Sequence, residues 1–241
     1  MKNASYPCMT KSSKCFTGLS LLVFLSIFLV PPTLAQNTEW RSDFHAERKN
    51  LGLTGKNPYF ILSPGLRLHY REGKTTLTRT VLPDTEIVDS VRVYVVEDRE
   101  KQDSNLVEVA RDYYAIDKTT NDVYYFGEKV DSYSKGKVIS HAGTWLSGGQ
   151  GAAFGLQMPF AIKLGDMFYQ ELAPKVAMDR AEVVGKDEKV VTLAGTFEHC
   201  VHFKETSNLE KGAFDQKWYA PGVGMIKDNG LVLVKIEKPK S

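Results

Sequence analysis

The chain has 241 residues, 42% of them hydrophobic and 25% charged, with 31 basic against 29 acidic side chains. Three of the basic residues and none of the acidic ones precede Gln36, so the remainder lies within one charge of neutrality. That balance argues against nucleic acid as a partner, which needs clustered positive charge, and the composition is that of an ordinary globular domain.

Lys2, Lys11 and Lys14 form a positive start, and an apolar run from Leu19 to Val30 follows, closed by Pro31 and Pro32. Thr33-Leu34-Ala35 then places small residues at the −3 and −1 positions of a cleavage site before Gln36. The run is shorter than the ~20 residues a helix needs to cross a bilayer. Residues 1–35 are therefore expected to be a signal peptide, leaving no integral span after cleavage and a periplasmic or secreted product. Cys8 and Cys15 precede the apolar run, where a lipid anchor would not fall, and Met9 would give a start of more ordinary length. Cys200 is then the lone cysteine of the mature chain, which excludes an internal disulfide and reads as a small buried apolar residue.

Residues 36–56 are polar and read as a short N-terminal extension, a tether or edge-capping arm, with Trp40 and Phe44 its apolar members. A single β domain is expected over 57–241. Runs of β-branched and aromatic residues with partial alternation predict strands over 67–71, 74–81, 91–97, 106–116, 123–126 and 138–141. They continue over 167–172, 181–184, 189–193, 196–205, 216–219, 224–227 and 231–237. Turn chemistry separates them at Glu72-Gly73-Lys74, Pro83-Asp84, Asn121-Asp122, Lys135-Gly136-Lys137, Gly185-Lys186-Asp187 and Asp228-Asn229-Gly230. No segment carries a helical apolar stripe. The reading is all-β, an antiparallel meander curled into an incomplete or half β-barrel, because a long open sheet would expose an edge and an apolar face.

The glycine-rich stretch 141–165 breaks the meander. It reads as a loop over the mouth of the barrel, a lid or a plug, with Trp145, Leu156, Met158 and Phe160 as candidate contacts for an apolar ligand. Gly149, Gly151 and Gly155 do not make a phosphate loop, since neither Gly-Lys-Ser/Thr nor a following helix is present. No Gly-x-Ser-x-Gly elbow occurs. His141, Cys200 and His202 carry donors suited to zinc or copper and are a candidate metal set. Acidic residues such as Asp98, Glu100, Asp117, Asp122 and Asp179 are scattered along the strands and read as a solvated face. Asp117 to Asp122 reads as a hairpin turn rather than a calcium loop.

Asp112-Tyr113-Tyr114-Ala115-Ile116-Asp117-Lys118, Val123-Tyr124-Tyr125-Phe126-Gly127-Glu128 and Trp218-Tyr219-Ala220-Pro221-Gly222-Val223-Gly224-Met225-Ile226-Lys227 together resemble a family of uncharacterised exported bacterial β-rich proteins. The last stretch is also similar to a late hairpin of lipoprotein-carrier-like half-barrels, which implies a concave apolar cavity. The resemblance assigns no activity. The expectation is a non-enzymatic envelope protein, without a cofactor, that binds an apolar small molecule or lipid, or an envelope protein, on its concave face. One alternative is a structural or assembly protein with a filled core. The other is a metal-dependent enzyme using His141, Cys200 and His202. N-terminal sequencing of the exported protein is expected to begin at Gln36; retention of residues upstream of Ala35 in the mature product would refute the cleavage reading.

Overall fold

The computed structural model describes residues 39–239; the expected signal peptide, 1–35, lies outside the described residues. One 3-10 turn at Arg48–Asn50 leads into β1 (Leu51–Gly52). Long hairpins follow: β2 (Arg67–Glu72), β3 (Thr75–Val88), β4 (Val91–Gln102), β5 (Asn105–Asp117) and β6 (Val123–Ser134). β7 (Lys137–Ser140), β8 (Trp145–Leu146) and β9 (Ala153–Met158) each pair with β6. β10 (Met167–Tyr169) and β11 (Glu171–Leu172) are short. A second meander completes the chain: β12 (Asp179–Thr192), β13 (Gly195–Ser207), β14 (Phe214–Ala220), β15 (Gly224–Asp228) and β16 (Leu231–Glu237). No helix among the described residues is long and apolar enough to cross a membrane.

β16 pairs with β2 and so joins the two meanders into one sixteen-stranded antiparallel sheet. The sheet curls into a nearly closed barrel with an unsealed seam, as the sequence led us to expect. Closure falls to residues 167–172. β10 pairs with β12, and β11, one residue further on, pairs with β9. The same short segment thus belongs to both edges of the sheet and crosses the seam covalently at Gln170. Its amide donates to the Asp179 carbonyl (2.8 Å).

The polar extension lies along the outside of this closure. Arg41 bridges the free edge of β10 in parallel, exchanging hydrogen bonds with Met167 and Tyr169 (3.0 and 2.9 Å). Trp40 packs edge-on against Tyr169, with the Arg180 guanidinium 4.3 Å over its ring. Phe44 meets Tyr124, and Leu51 pairs with Asp117 on β5. Pairing an exposed edge with an arm removes the unpaired N–H and C=O groups that an open sheet would present. Asp89, at the β3–β4 tip, accepts from Arg48 (2.6 Å) and Ser147 (2.8 Å), and so ties the arm, the hairpin and the glycine-rich segment together.

Three expectations change. Pro83-Asp84 is a bulge within β3 rather than a turn, between Val81 and Thr85. Gly185-Lys186-Asp187 likewise sits inside β12, between registers Gly185↔His202 and Glu188↔Cys200, with Asp187 at φ 59°. Bulges and turns draw on the same Gly, Pro and Asp chemistry, and only pairing distinguishes them. The stretch 141–165 is not a cover over the mouth: it supplies β8 and β9, part of the wall. Within it, Gly155 serves a close backbone approach. A Cβ on Gly155 would meet the Gln170 carbonyl oxygen at 2.2 Å. Gly155→Ala is expected to cost ~1–3 kcal/mol through overpacking at the seam. Gly52→Ala, with nothing within 4 Å of its added Cβ, serves as the control. Equal urea midpoints for the two variants would show that the seam is not held by this approach.

Candidate functional site

Alternation along the strands divides the barrel interior into two halves. Passing inward from the β2–β3, β4–β5 and β15–β16 turns, β3 presents Leu77, Arg79 and then Val81, while β4 presents Glu100, Asp98 and then Val96. β5 presents Glu108, Ala110, Asp112 and Tyr114. The deeper half is apolar and filled. Phe60, Leu66, Leu68, Val81, Val96 and Met225 leave a residual space of only about 20 Å3, room for about one water molecule.

The half nearer the turns is a chamber of about 300 Å3 lined by charged groups. Nine carboxylates border it: Asp98, Glu100, Glu108, Asp112, Glu128, Glu171, Asp179, Glu205 and Asp228. Two cations, Arg79 and Lys217, accompany them. Arg79 forks onto Asp98 (Nε 3.0 Å, Nη2 2.6 Å) and lies 3.8 Å from Asp112. Lys217 pairs with Glu205 (2.5 Å) and lies 3.8 Å from Asp228. Tyr125 and Tyr114, stacked at 4.9 Å, both donate to Asp112 (3.1 and 3.3 Å). Gln170 Nε2 donates to Glu205 (2.9 Å), so the seam-crossing residue also holds a chamber wall.

The charge is uneven. Glu100 stands directly opposite Glu108, and Asp112 directly opposite Glu128; like charges so placed normally destabilise a sheet. Burial, then the charge of Asp98, pushes the Asp112 carboxyl up to about 7. Burial, then Asp112, pushes Glu128 up to about 8. Glu171 is raised well above the carboxylate range by burial and by Asp179 and Glu128. Burial opposes the charge on Lys217, but Glu205 and Asp228 outweigh it, and its pKa rises. Glu128 and Glu171 retain partial accessibility because they face the chamber. The arrangement stores protons near neutral pH and attracts positive charge. Its lining contains no serine, cysteine or histidine.

The residues singled out from sequence lie elsewhere. Trp145 is buried at the margin of a separate recess beside Leu146 and Val176. Leu156 and Met158 are packed in the core through β9, and Phe160 is 46% exposed beyond its end. These four do not surround one cavity. His141, just past the end of β7, binds Asp131 on β6 (2.8 Å), His202 stacks on Trp218 (4.0 Å), and Cys200 is fully buried. The proposed metal trio is not brought together, and no three His, Cys, Asp or Glu side chains among the described residues form a metal-binding group. Asp98, Glu100 and Asp179, read as a solvated face, point into the barrel instead.

No family model matches the chain, and no curated protein matches it. Among solved structures, a protein described as a "putative lipoprotein" from Parabacteroides distasonis ATCC 8503 aligns over 76% of this chain and 100% of its own, with TM-score 0.39 and 12% identity.

The raised carboxyls set a sign for stability. Between the ordinary carboxylate range near 4 and the folded values of about 7 for Asp112 and about 8 for Glu128, the folded state binds more protons than the unfolded one. Stability therefore falls as pH rises through that window. Glu128→Gln is expected to flatten the fall and to exceed the parent at pH 8.5 by on the order of 1 kcal/mol, ~2–4 °C in Tm. Thermal scans from pH 5 to 9 that superimpose for the two proteins would refute the assignment.

Proposed function

We propose that the mature chain is a non-enzymatic binding protein of the exported compartment, and that it holds a small polar ligand in the chamber of its barrel. One observation carries this reading: where the inward stripes of β3 and β4 pass from apolar to charged residues, the free volume lies on the charged side. An apolar carrier needs room among apolar side chains, and here that half is filled to about 20 Å3 while the charged half keeps about 300 Å3. The expected apolar ligand or lipid is therefore replaced by a polar one. A chamber of this size also separates the reading from a purely structural role, which would be served better by a filled core. The signal-like residues 1–35 support export.

A thermal-shift panel of small amines, saccharides and amino acids tests the reading. A ligand at a hundred times its Kd adds about 2.7 kcal/mol, ~5 °C or more in Tm for a chain of this size. At least one polar compound is expected to give such a shift in the parent and none in Ala110→Trp, which fills the chamber. Stoichiometric lipid in an organic extract of the purified protein, or shifts that persist in Ala110→Trp, would overturn it.

A further inference from the structure

We propose that the chamber takes an organic polycation, a linear diamine or triamine; this rests on the reading that the chamber binds a polar ligand. Both protein cations are already committed, Arg79 to Asp98 and Lys217 to Glu205. No basic side chain among the described residues lies within 4.0 Å of Glu100, Glu108, Glu128, Glu171 or Asp179. Glu100 and Glu108 lie toward the β4–β5 turn, whereas Glu128, Glu171 and Asp179 gather toward the seam. Since no three such groups form a metal-binding cluster, the charge suits several cationic centres spaced apart rather than one ion. Methylene segments of a linear amine provide that spacing, and Leu77, Met225 and Leu231 are apolar members of the same wall.

A second observation is independent of the acidic groups. Gln157 lines the chamber, is only 9% exposed, and receives no hydrogen bond to its side-chain amide from any described residue. Its carbonyl oxygen is an acceptor for an ammonium group. The like-charged opposite pairs, Glu100 with Glu108 and Asp112 with Glu128, cease to be a liability once cations stand between them.

Isothermal titration of the purified protein with spermidine, putrescine, magnesium chloride and maltose at pH 8 and low salt tests the assignment. Spermidine is expected to bind at one site, at least tenfold more weakly in Glu171→Gln and more weakly still in Glu128→Gln/Glu171→Gln. Its affinity is expected to fall from pH 8 to pH 6 as protons compete for the carboxylates. If Glu171→Gln does not fold, Asp179→Asn reports the same loss. No heat with either amine overturns the proposal, as does amine binding unchanged in the double variant, which would mark surface adsorption. Maltose binding without amine binding overturns the ligand class and leaves the chamber reading standing. Silence of all four probes, with no shift in the wider panel, removes both.

Discussion

The acidic interior depends on Arg79. Its guanidinium lies at the boundary between the two halves of the barrel, bordering both the filled apolar region and the chamber. From there it engages Asp98 in two-pronged geometry and approaches Asp112. A single cation on β3 thus serves carboxylates on β4 and β5. Arginine suits the position because its planar fork binds a carboxylate bidentately and stays charged when buried. Without it, Asp98 and Asp112 would be left as buried acids with no cation, an expensive state.

That constraint explains the division of the interior. The strands are long enough for each to cross both regions, so the inward stripe changes character partway along: Val81 to Arg79 on β3, Val96 to Asp98 on β4. The apolar half, with Tyr70, Phe203, Leu233 and Ile226 among its most buried neighbours, provides the burial that drives folding. The charged half contributes little of that kind, and its opposed carboxylates work against the fold at alkaline pH. A protein that maintains such a region in its centre does so at a cost in stability. Buried, perturbed carboxyls of this kind are more common at functional sites than in structural cores.

Much of the fold was legible from residues alone. The period of two over β2 to β6 and β12 to β16 reports pleated strands whatever their partners, and Gly73, Gly136 and Asn229 mark turns through positive φ. The β3–β4 and β4–β5 turns were missed because Asp89-Ser90 and Asp103-Ser104 adopt positive φ without glycine. β8 and β9 were missed because a glycine-rich stretch shows no alternation, although Gly155 is needed for the close approach of Gln170. The chamber was legible only in part. Asp98 and Glu100 read as part of a solvated face because alternation identifies two faces without saying which is inside. Register supplies that answer: Arg79 stands opposite Asp98, and Asp112 opposite Glu128. Single-strand patterns do not contain this information, since it arises from which residues the hairpins set side by side.

The chamber and the seam are one system. Glu171 lies on the strand that pairs with β9, and Asp179 begins the strand that pairs with β10, so their charges meet where the sheet closes. Gln170 stands between them, with its backbone against Gly155 and its side chain on Glu205. Repulsion among Glu171, Asp179 and Glu128 therefore acts beside the unsealed seam. Protonating these groups relieves repulsion at the closure, whereas charging them increases it. The outer strap from Trp40 to Leu51 pairs with β10 from outside through Arg41 and reaches β5 through Leu51. The charge of the interior is thus linked to the integrity of the wall through a segment only six residues long, Met167 to Leu172.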